Sequence, residues 1–263
     1  SANERGRTMK LLYLDCFMGA AGDMLMGALV SLLPEPESFA ERMNALLGGR
    51  AQLTCARDEK CGISGMHVTV TVNGVEEDEH AHEHEHHGHH HAHHHTSVGE
   101  ICGMIDGLEV PDKVKSDAKS VFSLIAEAEG RVHGKPPENI HFHELGTLDA
   151  LADVLGVCLL MNELAPERVC ASPVNVGSGL VSCAHGLLPV PAPATERLLR
   201  GVPIYSGEVA GELCTPTGAA LLRHFVDEFC RLPAMRVEAA GYGTGKKDFP
   251  AANVVRALLG ETL

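Results

Sequence analysis

Residues 11–16 (LLYLDC) form a short, almost continuous apolar run, the pattern of a strand buried on both faces and hence of a central, parallel position in a sheet. The loop MGAAGD at 18–23 follows, and 24–33 reads as a helix stopped by Pro34. Strand, tight glycine turn and helix start are the opening of an α/β unit, in which ligands gather at the carboxyl end of the strand. A second helix is predicted over 38–47. Residues 52–58 and 66–72 alternate in polarity, as two strands joined by a turn around Gly62 and Gly65 would. Helices follow at 98–106 and 112–133, the latter broken by Gly134, Pro136 and Pro137. A short extended piece at 140–144 leads through Gly146 to a helix with Thr147 as its N-cap, running to about residue 164. The last third alternates strands (169–176, 235–238, 254–258) with helices (194–199, 217–229), and no internal repeat is present. The expected fold is therefore α/β, one domain over 9–263, with a central mixed sheet, a strand, glycine turn and helix at its start, and flanking helices.

One stretch breaks this pattern. Residues 76–95 hold eleven histidines and six acids and no aliphatic side chain larger than alanine, so they cannot join a core. A disordered histidine-rich insertion over 76–96 is expected, with order resuming at Ser97. Imidazoles at this density bind nickel, zinc or copper, with His86, His87, His89, His90 and His91 at the centre of the run. Their irregular spacing suits a loose store, because a catalytic site needs ligands on rigid elements.

The remainder, in a chain of 263 residues with 44% hydrophobic content, is ample for a sizeable core. The formal charge of −14 argues against nucleic acid and against an anionic membrane as partners, since both call for a basic face. No apolar run reaches 18 residues, and residues 1–8 are polar and precede Met9, so they are set aside from the fold and a soluble, cytoplasmic protein is expected. Nine cysteines without CxxC spacing read as reduced thiols rather than as a disulfide framework or a zinc ribbon.

Four groups carry candidate chemistry. The sharpest is His141-Phe142-His143-Glu144 followed by Asp149 and Asp153: the two histidines share one side of an extended segment, and the two aspartates, four apart, share a helix face. Imidazole with carboxylate suits nickel, zinc or iron(II). The plain reading of Asp149 is complementation of the helix dipole, whereas Asp153 lies a turn further along an apolar helix, where a carboxylate needs a partner. The second group is Asp15 at the strand end with the turn Gly19 to Gly22 and Asp23, whose amides can hold a phosphate if a cation accompanies it; a capped turn is the alternative. The third is Cys183 with His185, a soft and borderline ligand pair. The fourth is Thr215 and Thr217 at a helix start, where capping is the plain reading and contact with a bound cofactor the functional one.

Taken together, LYLDCFMGAAGDM, HFHELGTLDALADVLGV, SPVNVGSGLVSCAHGLLPVPAPAT, GELCTPTGAALL and GYGTGKKDFPAANVVR resemble the nickel insertion proteins, the LarC-type cyclometallases, over nearly all of residues 10–256. The histidine-rich insertion is similar to a variable one in that family. The resemblance implies that nickel(II) enters pyridinium-3,5-bisthiocarboxylic acid mononucleotide through two Ni–S bonds and one Ni–C bond, with CTP hydrolysed to CMP and pyrophosphate. It implies CTP bound with Mg2+ or Mn2+ by a second, C-terminal domain outside this chain, a homo-oligomer, and contact with a client racemase. Making the nickel–carbon bond removes the pyridinium C4 proton, for which Asp15, Asp23, His141, His143 and Asp149 are the candidates, base and ligand left undistinguished. Two other classes remain open on the residues alone: a nickel or zinc storage protein in which the tract does the work, and a metal-dependent hydrolase using the HFHE and Asp149/Asp153 group.

Overall fold

The computed structural model describes residues 8–72, 74–76, 95–183 and 186–263, with residues 75, 76, 95 and 142–146 described through their backbone alone. The chain opens with β1 (Lys10–Asp15), α1 (Gly22–Val30) and α2 (Pro36–Leu47), then the hairpin β2 (Gln52–Lys60) and β3 (Ile63–Val72), with the short β4 (Val75–Glu76) on β3. The hairpin turn is two residues long, with Cys61 at φ 52 and Gly62 at φ 79. Two left-handed residues make the turn type whose twist matches its strands. The predicted hairpin is therefore present, tighter and longer than its alternation alone suggested.

After the histidine tract come β5 (His95–Ser97), α3 (Val98–Asp106), α4 (Asp112–His133), β6 (His141–His143) and α5 (Glu144–Leu164). Helix α3 starts in a capping box, the Ser97 hydroxyl accepting from the Glu100 N–H while the Glu100 carboxylate accepts from the Ser97 N–H. Strand β5 pairs antiparallel with β6, His95 opposite His143. The tract thus re-enters the fold at His95, two residues earlier than expected, because pairing with the HFH segment holds its end; Glu76, where the insertion was expected to begin, ends β4, and residues 77–94 lie outside the described residues. Helix α5 begins at Glu144 rather than after Thr147, which is buried inside it. The chain turns from strand into helix without a separate capping residue at 147.

The remainder is β7 (Arg168–Ala171), β8 (Val174–Asn175), β9 (Gly177–Ser178), the hairpin β10 (Leu180–Cys183) and β11 (Gly186–Pro189), α6 (Pro193–Leu198), β12 (Ile204–Tyr205), β13 (Gly211–Glu212), α7 (Pro216–Phe225), β14 (Glu228–Phe229), β15 (Met235–Thr244) and β16 (Val254–Thr262). Helix α7 ends before the predicted 229 because Asp227 accepts a hydrogen bond from the Val169 N–H (2.8 Å) and lays the next residues on β7 as a strand. The main sheet runs β14-β7-β1-β16-β15-β3-β2, with β4 beside β3. Strand β1 is parallel to β7 but antiparallel to β16, so the expectation of a central parallel strand holds on one side only. The reason is that β16 returns antiparallel beside β15 before meeting β1.

The helices cover one face. Leu12, Leu14 and Cys16 join the large core beneath α1, α4 and α5, while Leu11 and Tyr13 point the other way into a small cluster with Cys170 and Leu258. Helix α1 lies directly on β15 because the strand presents Gly241 and Gly243 to it: a Cβ at 241 would sit 2.1 Å from Ala28 O, and one at 243 1.8 Å from Met24 O. The same glycines, which read as breakers, explain why only 235–238 of this ten-residue strand was legible. Among the described residues no helix is long and apolar enough to cross a membrane.

Gly243→Ala should lower the melting temperature, followed by circular dichroism, by the equivalent of about 1–3 kcal/mol or more, because the helix backbone must move. Gly103→Ala in α3, where nothing lies within 4 Å of the added Cβ, should be neutral or stabilise by up to about 1 kcal/mol. Equal effects at the two sites would contradict this account of α1 packing.

Candidate functional site

A cleft of about 640 Å³ opens where the first turns of α1, α6 and α7, the inner face of α5, the β10–β11 hairpin and the segment after β15 meet. Asp23 enters from the first turn of α1, and Asp149 and Asp153, one helical turn apart on α5, face it. Glycine makes this approach possible: a Cβ on Gly22 would lie 2.2 Å from Asp153 Oδ2. Because α5 begins at Glu144, Asp149 falls in its second turn, where the helix dipole no longer accounts for a carboxylate.

Asp153 is 8% exposed. Its carboxyl titrates well above the ordinary value of 3.8, first because burial strips its hydration, then because Asp149 and Asp23 stand nearby; Lys246 and a hydrogen bond from the Asp23 backbone oppose the shift. Oδ1 of Asp153 has no hydrogen-bond partner. A buried carboxylate flanked by two more is costly unless something positive arrives. The oxygen donors suit a divalent cation, and Cys183, which also lines the cleft, is a softer donor.

The lining also holds groups of different character. Thr215 caps α7, its hydroxyl accepting from the Gly218 N–H at 3.1 Å, and Thr217, Lys246 and Lys247 line the cleft as well. A helix start with hydroxyls and ammonium groups suits an anion. Glu212 also lines the cleft, and at its margin His133 Nε2 lies 3.4 Å from Glu129 Oε2.

Of the residues singled out in the sequence, the cleft gathers Gly22, Asp23, Asp149, Asp153, Cys183, Thr215 and Thr217. Asp15 does not line it. Its carboxylate accepts from Arg256 Nη2 at 2.6 Å, the two residues paired across β1 and β16, and its side chain shares the strand face of Leu11 and Tyr13, away from α1. The expected meeting of Asp15 with the glycine turn is thereby corrected: alternation along β1 sends Asp15 to the face opposite the helices. Gly19 stays outside the cleft too, at φ 82, its Cα against the Leu213 carbonyl, which a Cβ would meet at 1.9 Å. Asp23 is not the cap of α1; Ala21 occupies that position. His141 is exposed and outside the cleft lining. His143 and Glu144 are placed by backbone only, while His185 and His86, His87, His89, His90 and His91 lie outside the described residues. Lys246, Lys247, Glu212 and His133 were missed as site residues. The lysines were visible only as part of GYGTGKKD, a string with no metal or phosphate pattern of its own.

Fold and cleft define an α/β protein whose acidic pocket suits a divalent cation beside an anionic group. The comparison with known proteins is more specific: the nickel insertion protein family matches residues 12–263, and the chain belongs to that family. It is 42% identical to the pyridinium-3,5-bisthiocarboxylic acid mononucleotide nickel insertion protein of Clostridium kluyveri, over 96% of this chain and 62% of that protein. It is 40% identical to the protein of the same name from Geobacillus kaustophilus, over 96% and 60%, and 41% identical to that of Desulfitobacterium hafniense, over 96% and 59%. The chain thus spans about three-fifths of the length of these curated relatives. No solved structure matches it.

A raised carboxyl pKa in the folded state means that stability falls as pH rises from about 3.8 toward the elevated value of Asp153. In metal-free buffer at pH 7, Asp153→Asn should therefore melt higher than the parent, by about 2–4 °C for each kcal/mol relieved in a domain of this size. The gap should close near pH 4. A lower melting point for the variant at pH 7 would show that the carboxylate is a structural support.

Proposed function

We propose that this chain supplies the nickel- and precursor-binding part of an enzyme that inserts nickel(II) into pyridinium-3,5-bisthiocarboxylic acid mononucleotide, a CTP-dependent cyclometallase of nickel-pincer cofactor biosynthesis. The observation that carries the reading is the buried, hydrogen-bond-deficient carboxylate of Asp153 between Asp149 and Asp23, in a member of the nickel insertion family. Support for the substrate comes from the names of the relatives.

In this reading nickel is cargo. It is collected by the histidine tract, whose end pairs with the HFH strand, and passes to the acidic wall with help from His141, His143, Glu144 and His185. The mononucleotide phosphate lies toward Thr215, Thr217, Lys246 and Lys247, and the pyridinium ring toward the aspartates. As the C4–H bond breaks, its electron pair forms the nickel–carbon bond and the proton passes to a cleft carboxylate. Asp153 suits that step, since burial makes it a stronger base than an ordinary carboxylate and the arriving dication offsets the neighbouring charges. Asp23 and Asp149 then hold the metal, and the acid–base work falls to the cleft rather than to Asp15. CTP, with Mg2+ or Mn2+, is bound by a C-terminal domain, and the assembled homo-oligomeric enzyme works in the cytoplasm for a client racemase.

Asp149→Asn and Asp153→Asn should leave total bound nickel nearly unchanged, because the tract dominates it, yet lower cofactor formation on the order of 10²-fold when the C-terminal CTP-binding part is supplied. Full cofactor formation by both folded variants would overturn the reading in favour of storage. Deleting residues 77–94, which spares Glu76 and His95 in their strands, should remove most nickel equivalents and leave the melting temperature unchanged, with insertion surviving at saturating nickel. Tract-bound nickel should be lost as pH falls through about 6.5, where imidazole protonates.

A further inference from the structure

On the sheet face turned away from the cleft, three side chains converge that the nickel chemistry does not use. We infer that Cys170, Cys230 and Glu228 form a second metal site, for one thiophilic divalent cation of the zinc class, at the β7–β14 edge of the sheet. One donor atom from each lies within 4.8 Å of the other two. In a tetrahedral thiolate site with metal–sulfur bonds near 2.3 Å, donor atoms stand about 3.8 Å apart, so closure needs only a small inward movement.

The sheet builds this arrangement. Glu228 pairs with Cys170 across the parallel strands β14 and β7, and the Cys230 N–H bonds to Ala171 O at 2.8 Å, carrying Cys230 back over Cys170. The Tyr13 hydroxyl donates to the Cys230 carbonyl at 3.3 Å and fixes that residue from β1. The thiol of Cys170 is fully buried in the small cluster with Leu11, Tyr13 and Leu258, Cys230 is half-buried, and Glu228 faces solvent. The site therefore has a dry sulfur side and an open side where water completes the coordination.

Charge favours occupancy. Two thiolates and a carboxylate bring three negative charges; a dication and Arg168, which forms an ion pair with Glu228, bring three positive ones. A thiol binds metal as thiolate, so binding must release protons and strengthen with rising pH. Strand β14 is an edge strand of two residues, and a metal there cross-links it to β7. The inference is independent of the nickel-insertion reading, since no cleft residue takes part.

Cobalt(II) is the probe, because thiolate ligands give it an intense near-ultraviolet charge-transfer band that imidazole and carboxylate do not. With Cys183→Ser as the parent chain, so that the cleft offers cobalt no sulfur, and with that chain reduced, held without oxygen, and given cobalt beyond its 17 histidines, one equivalent of thiolate-bound cobalt is expected, displaced by zinc. Cys230→Ser, at a half-buried position that tolerates the change, should abolish the band, and Cys170→Ser should do the same; Glu228→Gln should weaken it. Cofactor formation should be unaffected in Cys230→Ser. No band in the parent, a band that persists in the doubly substituted chain, or a Cys170–Cys230 disulfide already present under these conditions would each overturn the proposal.

Discussion

The contact on which the site depends is backbone against backbone: α1 rests on β15 where Gly241 and Gly243 offer no side chains. On its other side α1 meets α5 just as closely, through Gly22 against Asp153 and through Gly156, where a Cβ would lie 2.5 Å from Met26 Sδ. A helix clamped between a strand and a second helix has little freedom in rotation or translation. Its first turn therefore delivers Asp23 to Asp149 and Asp153, while the chain leaving β15 delivers Lys246 and Lys247 to the same cleft. One pattern of small residues thus brings carboxylates and lysines to the same cleft.

That arrangement works against folding stability. Burial and like charge raise the Asp153 carboxyl, and its Oδ1 is left without a hydrogen bond inside a domain whose core is mostly apolar. Selection for stability alone would place an apolar or amide side chain there, so retained strain of this kind points to a ligand that relieves it. The cleft combines carboxylates that suit a dication with a hydroxyl-bearing helix start that suits an anion. The curated relatives are named for nickel and a pyridinium mononucleotide.

The sheet sends alternate side chains to two separate clusters. Alternation along β1 directs Leu12 and Leu14 to the helical core and Asp15 to the opposite side, where Arg256 neutralises it. The same alternation in β7 gives Val169 and Ala171 to the core and Cys170 to the outer cluster. The acidic cleft thus opens on the helical face, and the opposite face carries a separate set of sulfur and carboxylate donors at its edge.

Much was legible in the sequence by itself. The periodicities of α3 and α4 located both helices to the residue, the break at 76–95 marked the tract, and the i, i+4 spacing of Asp149 and Asp153 placed both on the face that lines the cleft. These are local properties, set by 3.6-residue geometry and by side chains that can or cannot be buried. Partnership across the chain was not legible. Asp15 and Asp23 sit eight residues apart and looked like one site, yet strand alternation and the pairing of β1 with β16 commit the first to Arg256 on the far face. Lys246 and Glu212 gained their places only through β15 and the Ala20–Cys214 bridge, contacts between residues some 200 apart that no local pattern encodes. The glycines of β15 show the division most plainly: read along the chain they break a strand, and only the helix lying upon them explains why no larger residue fits.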